Sequence, residues 1–300
     1  MIKKYPRDMV GYGQKTPKVK WPNNAKLALQ IVLNYEEGSE NCVLHGDRTS
    51  EVFLSEIIGA QPVKGRHINM ESLYEYGSRR GFWRIHKLFQ EKKIPITIFG
   101  VGMALEKNLE ICQAIKESDY EVASHGWRWI DYQKVSRSTE KKHMQLAIKS
   151  IEKIFGKRPL GWYTGRCSPN TRDLVMEEGG FLYDSDSYSD DLPYWEVRGK
   201  KKQLIIPYTL DNNDMRFATN QGFNSGEQFY TYLKDSFDTL YNEDSPPKMM
   251  SVGLHCRIIG RPGRIQSLKK FLDYVLKHRD VWICKRVDIA KHWIKNYSIK

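Results

Sequence analysis

Six short polar runs, each following an apolar one, collect residue types that move protons and bind charge. They are Asn34-Tyr35-Glu36-Glu37-Gly38, Ser124-His125-Gly126-Trp127, Thr164-Gly165-Arg166, Asp184-Ser185-Asp186, the segment from Tyr208 to Asp214, and His255-Cys256-Arg257. Two adjacent carboxylates repel, which raises the pKa of one and leaves a group able to accept a proton near neutral pH. A general base is therefore expected at Glu36 or Glu37. Singly, each run is ordinary, since a Glu pair after a strand is usually solvated loop and a lone His there is usually a satisfied core residue. Their coincidence at six such ends makes them a candidate site.

The elements that must position these runs follow from the apolar pattern. Leu27–Leu33, Ile96–Val101, Tyr120–Ser124, Leu160–Thr164, Phe181–Asp184, Leu204–Tyr208, Met249–Leu254 and Val281–Cys284 are short and mostly apolar on both faces, as buried parallel strands are. Amphipathic stretches lie between most of them. Phe82, Ile85, Leu88 and Phe89 share one helix face, Met144, Ile148, Ile151 and Phe155 another, and Ser138-Thr139-Glu140 and Asn170–Asp173 look like helix starts. This rhythm predicts an α/β fold, a (β/α) barrel of seven to eight strands, whose site lies at the C-terminal strand ends. Residues 1–26, with Pro6, Pro17 and Pro22, read as an extended arm, and 27–300 as a single domain without internal linker. Residues 40–77 read as a long excursion, either lid or subunit contact.

Composition narrows the classes. With 40% hydrophobic and 28% charged residues the chain is globular, and disordered and low-complexity classes are excluded. No apolar run approaches the ~20 residues that a bilayer needs, and Met1–Asp8 has no signal-type apolar stretch, so no membrane partner and a cytoplasmic location are expected. Five cysteines without a CxxC pair argue against a disulfide framework and a thiolate zinc site. The net charge is +12, and residues 251–300 hold twelve basic against three acidic side chains. Lys269, Lys270, Lys277, Lys291 and Lys295 fall at helical spacing, the pattern of a solvated face, and no nucleic-acid module accompanies them.

The acidic pair and glycine at Glu36–Gly38, Ser124-His125-Gly126, Arg166–Pro169 and Leu254-His255 resemble the polysaccharide deacetylase superfamily, the NodB-homology fold, over roughly residues 27–290. That family's first motif is Thr-Phe-Asp-Asp-Gly, with a base followed by a metal ligand, and its second has two metal-binding histidines four residues apart. Here Trp129 stands at the second histidine position, and indole nitrogen is a donor only. This departure, with Val32–Gly38, Asn69–Arg79, Gly161–Arg166, Asp211–Phe217 and Leu254–Arg257, is similar to the metal-independent allantoinase branch of urate catabolism. The resemblance implies a distorted TIM-like barrel and a cytosolic homotetramer that opens the hydantoin ring of allantoin, a small ureide, with no metal or other cofactor. The alternative is an N-deacetylase acting on an N-acetylated sugar.

The resemblance also implies roles. Glu36 matches the family's base and His255 its general acid, while Glu37 and His125 match former metal ligands and are expected to hydrogen-bond each other or the substrate. Arg166 suits the substrate's carbonyls, with Arg257 and Arg261 as further candidates. Asn34, Asp184, Asn212 and Asp214 could accept its N–H groups, and Trp129 and Trp162 are candidates for the pocket wall.

Overall fold

The computed structural model describes residues 5–243 and 246–299. Met1–Lys4 of the expected arm, Asp244, Ser245 and Lys300 lie outside them. Among the described residues nine strands form one sheet: β1 (Leu27–Tyr35), β2 (Thr97–Gly100), β3 (Glu121–Ser124), β4 (Gly161–Trp162), β5 (Tyr183–Asp184), β6 (Tyr194–Arg198), β7 (Lys201–Ile205), β8 (Lys248–His255) and β9 (Val281–Cys284). Their order is β6-β7-β5-β4-β3-β2-β1-β8, with β9 also on β1. Eight run parallel, and β6 alone is antiparallel to its neighbour β7.

β1, at nine residues, organises the sheet because one of its edges serves two neighbours. β9 pairs with Leu27–Gln30 and β2 with Val32–Tyr35, while β8 runs along the other edge from Leu27 to Asn34. All nine β1 residues are buried, which accounts for a run apolar on both faces. The curled sheet and its outer helices make the expected distorted (β/α) barrel. No ladder joins β8 to β6 among the described residues; a single bridge between Asn213 and Gly253 lies beside that seam.

Two expectations change in detail. Pairing at β7 begins at Lys201 rather than Leu204, because the antiparallel ladder to β6, itself unforeseen in a half-exposed segment, carries the exposed residues Lys201 and Lys202 into the sheet. The excursion is irregular only to His67, since Ile68–Tyr76 is helical and continues through Gly77–Gly81, wound as a π turn, into Phe82–Lys92. Met70 and Tyr74 are buried on the first half, and Phe82, Ile85, Leu88 and Phe89 on the second. The arm lies against its own barrel, where the Trp21 indole donates to the Lys248 carbonyl and packs among Trp282, His292 and Trp293.

Candidate active site at the barrel mouth

Glu36 follows the last residue of β1, and the β1–β8 register sets Asn34 beside His255. Since side chains alternate along a strand, Asn34 and Glu36 face the same way. Asn34 braces the site, its amide donating to the Tyr208 hydroxyl and the Leu254 carbonyl, both at 3.0 Å. Glu36 is 1% exposed and is the hub. Arg257 Nη1 donates to its Oε2 at 2.7 Å, and Oε1 lies 3.3 Å from His125 Nε2 and 3.5 Å from His255 Nε2.

The charges follow from this crowding. Burial would push the Glu36 carboxyl up, but Arg257, His255 and His125 together hold it well below the usual carboxylate range. Burial would equally lower His255, yet Glu36 and Asp214 raise its pKa to about 9. Asp214 does this through a 2.6 Å contact from its Oδ1 to His255 Nδ1, and its Oδ2 accepts the backbone N–H groups of His255 and Ile259. Asp214 thus orients the imidazole instead of facing a substrate N–H group. At neutral pH the centre holds an ionised Glu36 against a protonated His255 and a guanidinium.

Glu37 takes another path. Its Oε2 accepts the Glu36 N–H at 3.0 Å, while its buried Oε1 has no hydrogen-bond partner among the described residues. Burial and the charge of Glu36 outweigh Arg257 and lift its pKa to about 7. His125 therefore meets Glu36 and the Tyr163 carbonyl, and the expected Glu37–His125 pairing does not form because the Glu37 carboxylate folds back onto backbone. Room for that turn comes from Gly77, where a Cβ would sit 2.3 Å from Glu37 Oε1.

Two aromatic side chains part company. Trp129 is at the mouth, its ring stacked on Phe53 at 5.9 Å, with the Arg257 and Arg166 guanidinium carbons each 5.1 Å from its centroid. Trp162 instead packs among Met144, Ile148, Leu174, Val175 and Phe181 behind the sheet, because it points to the helix layer. Arg166 is ion-paired to Glu51 at 3.2 Å, and Asp184 to Arg172 at 2.7 Å. Residues 51–56 cross the mouth as a strap: Glu51 holds Arg166, Phe53 covers Trp129, and Glu56 pairs with Arg264 at 2.6 Å and Arg261 at 3.5 Å. Between them Leu54 is buried at φ +50°, an unusual conformation for a bulky residue. The strap, Glu51 and Tyr74 fall inside the 40–77 excursion read as lid or subunit contact, but the sequence singles out none of their side chains; Gly77 and Gly81 inside a helical pattern are the local signal of tight packing there.

The polysaccharide deacetylase family profile matches residues 67–177. A Schizosaccharomyces pombe protein named "Putative polysaccharide deacetylase" is 42% identical over 98% of both chains. The chain belongs to the polysaccharide deacetylase family. Two solved structures are similar to this polysaccharide deacetylase family member throughout. One is a "probable Polysaccharide deacetylase" from Pseudomonas aeruginosa PAO1, 56% identical, with a TM-score of 0.97 over 99% of this chain and 100% of that one. The other is Puue Allantoinase, 55% identical, with a TM-score of 0.96 over 99% of each.

The metal implied by the deacetylase resemblance does not fit these residues. Trp129 offers no lone pair where a second imidazole would stand. The Arg257 guanidinium, 2.7 Å from Glu36 and 3.9 Å from Glu37, sets a fixed positive charge beside both carboxylates. Among the described residues no group of three or more His, Cys, Asp and Glu is arranged to hold an ion.

Proposed function

We propose that this protein is a metal-independent allantoinase of urate catabolism, opening the hydantoin ring of allantoin to allantoate. The observation that carries the reading is the buried Glu36 carboxylate, held ionised between the protonated His255 and Arg257. The likeness to Puue Allantoinase along the whole chain supports it. Amide hydrolysis needs a base for water, donors for the oxyanion and an acid for the departing nitrogen. Glu36 takes a proton from water as its oxygen adds to the ring carbonyl. His255, aligned by Asp214, gives its proton to the nitrogen as the C–N bond breaks. Glu36 then returns its proton to His255, and the new carboxylic acid ionises.

Arg166, held by Glu51 of the strap and lying over Trp129, is assigned to the carbonyls of a neutral ureide entering the mouth. A cytoplasmic homo-oligomer, a tetramer, completes the proposal; exposed Leu44, Ile58 and Ile68 on the excursion supply apolar surface for contacts between copies, and light scattering that gives a monomer mass rules it out. The second reading, an N-deacetylase acting on an N-acetylated sugar, is favoured by the names of two relatives. EDTA-dialysed protein incubated with racemic allantoin and followed by NMR separates them. Allantoate formation at undiminished rate supports the proposal; inactivity on allantoin with zinc-dependent release of acetate from an N-acetylated sugar replaces it.

A further inference from the structure

Four of the buried side-chain polar atoms without a hydrogen-bond partner among the described residues gather around Glu36: Glu37 Oε1, the Tyr74 hydroxyl, and Nε and Nη2 of Arg257. Arg257 is 3% exposed and Tyr74 2%. The guanidinium carbon lies 4.3 Å from the centroid of the Tyr74 ring, and only Nη1 is used, by Glu36. Nε and Nη2 form the side edge of the guanidinium, two parallel N–H donors matched to two oxygens on one carbon. Buried donors are rarely left unpaired, so this edge is shaped for a ligand.

We propose, resting on the amide-hydrolase reading above, that the Nε–Nη2 edge of Arg257 and the Tyr74 hydroxyl receive the oxygens of the reacting carbon. The ring carbonyl brings one oxygen to a two-donor edge. When water adds, the carbon–oxygen π pair moves onto the carbonyl oxygen, and the adduct carries two oxygens on that carbon, one anionic. Collapse of the adduct breaks the C–N bond, its electron pair leaves with the nitrogen that His255 protonates, and a carboxylate remains on the edge. The edge is thus better filled in the adduct and the product than in the substrate, which is the condition for accelerating the step. Arg257 and Tyr74 are then catalytic residues that do the electrophile's work with hydrogen bonds.

Tyr74→Phe removes a hydroxyl with no protein partner, so thermal stability should be unchanged or higher, whereas kcat should fall about 10²-fold or more with KM little changed, as for loss of one oxyanion donor. Arg257→Lys keeps a positive charge beside Glu36 but removes the edge, and should weaken allantoate binding at least tenfold by calorimetry. If the wild type opens allantoin and Tyr74→Phe retains kcat within threefold, with Arg257→Lys binding allantoate like the wild type, the edge has no such role and the allantoinase reading stands. If the wild type opens no ring, that reading fails, and calorimetry with acetate on wild type against Arg257→Lys still decides the edge: equal affinity, or no binding to either, overturns it.

Discussion

Arg257 and Arg286 are both buried inside this barrel, in contrasting surroundings. Arg286 is saturated: Nη1 donates to Gln30 Oε1 and Ser251 Oγ, Nη2 to Ser185 Oγ and the Ile206 and Pro207 carbonyls, and Nε to Ser185 Oγ. None of these partners is a carboxylate, and burial pulls its pKa down. Arg257 donates to one carboxylate, Glu36, with Glu37 beside it at 3.9 Å, while Nε and Nη2 have no partner among the described residues, and its pKa is driven up by the charges around it despite burial. Burial of a charged group therefore does not by itself distinguish scaffold from chemistry. What distinguishes them is whether the surrounding protein has already answered every donor.

The contrast breaks most sharply at Glu36. Glu36→Gln keeps the shape but loses the basicity and the charge that faces Arg257, and kcat should fall ~10²–10⁴-fold with the fold intact by circular dichroism. Arg286→Met should do the reverse: it strands the Gln30, Ser185 and Ser251 side chains and two carbonyls, for a loss of roughly 3–5 kcal/mol in urea unfolding. Near-native kcat in its remaining folded fraction is expected; a selective loss of kcat would make Arg286 part of the chemistry.

A subtler test uses pH. His255 must be protonated to act as acid, so kcat/KM of the wild type should fall as pH rises through about 9. Because the folded pKa is raised from 6.5, the group's contribution to stability is full below 6.5 and lost as pH climbs toward about 9. Asp214→Asn removes one of the two charges that raise it, and should move the basic limb toward 6.5. On the acid side, Glu36 as base keeps kcat/KM high to well below 4.5, whereas a fall on acidification through about 7 assigns the base to Glu37.

Much of the scaffold was legible because parallel strands buried on both faces leave continuous apolar runs, as β1 and β2 do at the expected runs Leu27–Leu33 and Ile96–Val101. The strand ends at Glu36, His125 and His255 were legible for the same reason. The partners were not: Asp214 reaches His255 from a segment 41 residues away, and Glu37 turns from His125 to the Glu36 amide by a backbone detail no spacing encodes. Trp162 and Trp129 both precede or follow site runs, but Trp162 lies in β4, where the pleat turns it to the helices, whereas Trp129 lies in the loop after β3, where no strand period sets its direction. The strap joins through Glu51 and Glu56, ordinary surface residues by composition, and depends on where Arg166, Arg261 and Arg264 come to rest.

The π turn at Gly77–Gly81 sets a phase. Each α-helical residue advances the winding by about 100°, and a π turn holds one residue more than an α turn, so the segment before it is rotated against the segment after it. The continuous helix from Ile68 to Lys92 thus acts as two cams on one shaft. One cam presses Phe82, Ile85 and Phe89 into the core, and the other brings Tyr74 over Arg257. The glycines fix the shaft's position, since a Cβ at Gly81 would lie 2.0 Å from the Cys256 carbonyl oxygen. Removing one residue between them would restore regular winding, leave the core cam seated and swing Tyr74 about 100° off its mark. Chain length within those five residues, more than the identity of any one side chain, is what this half of the mouth is keyed to.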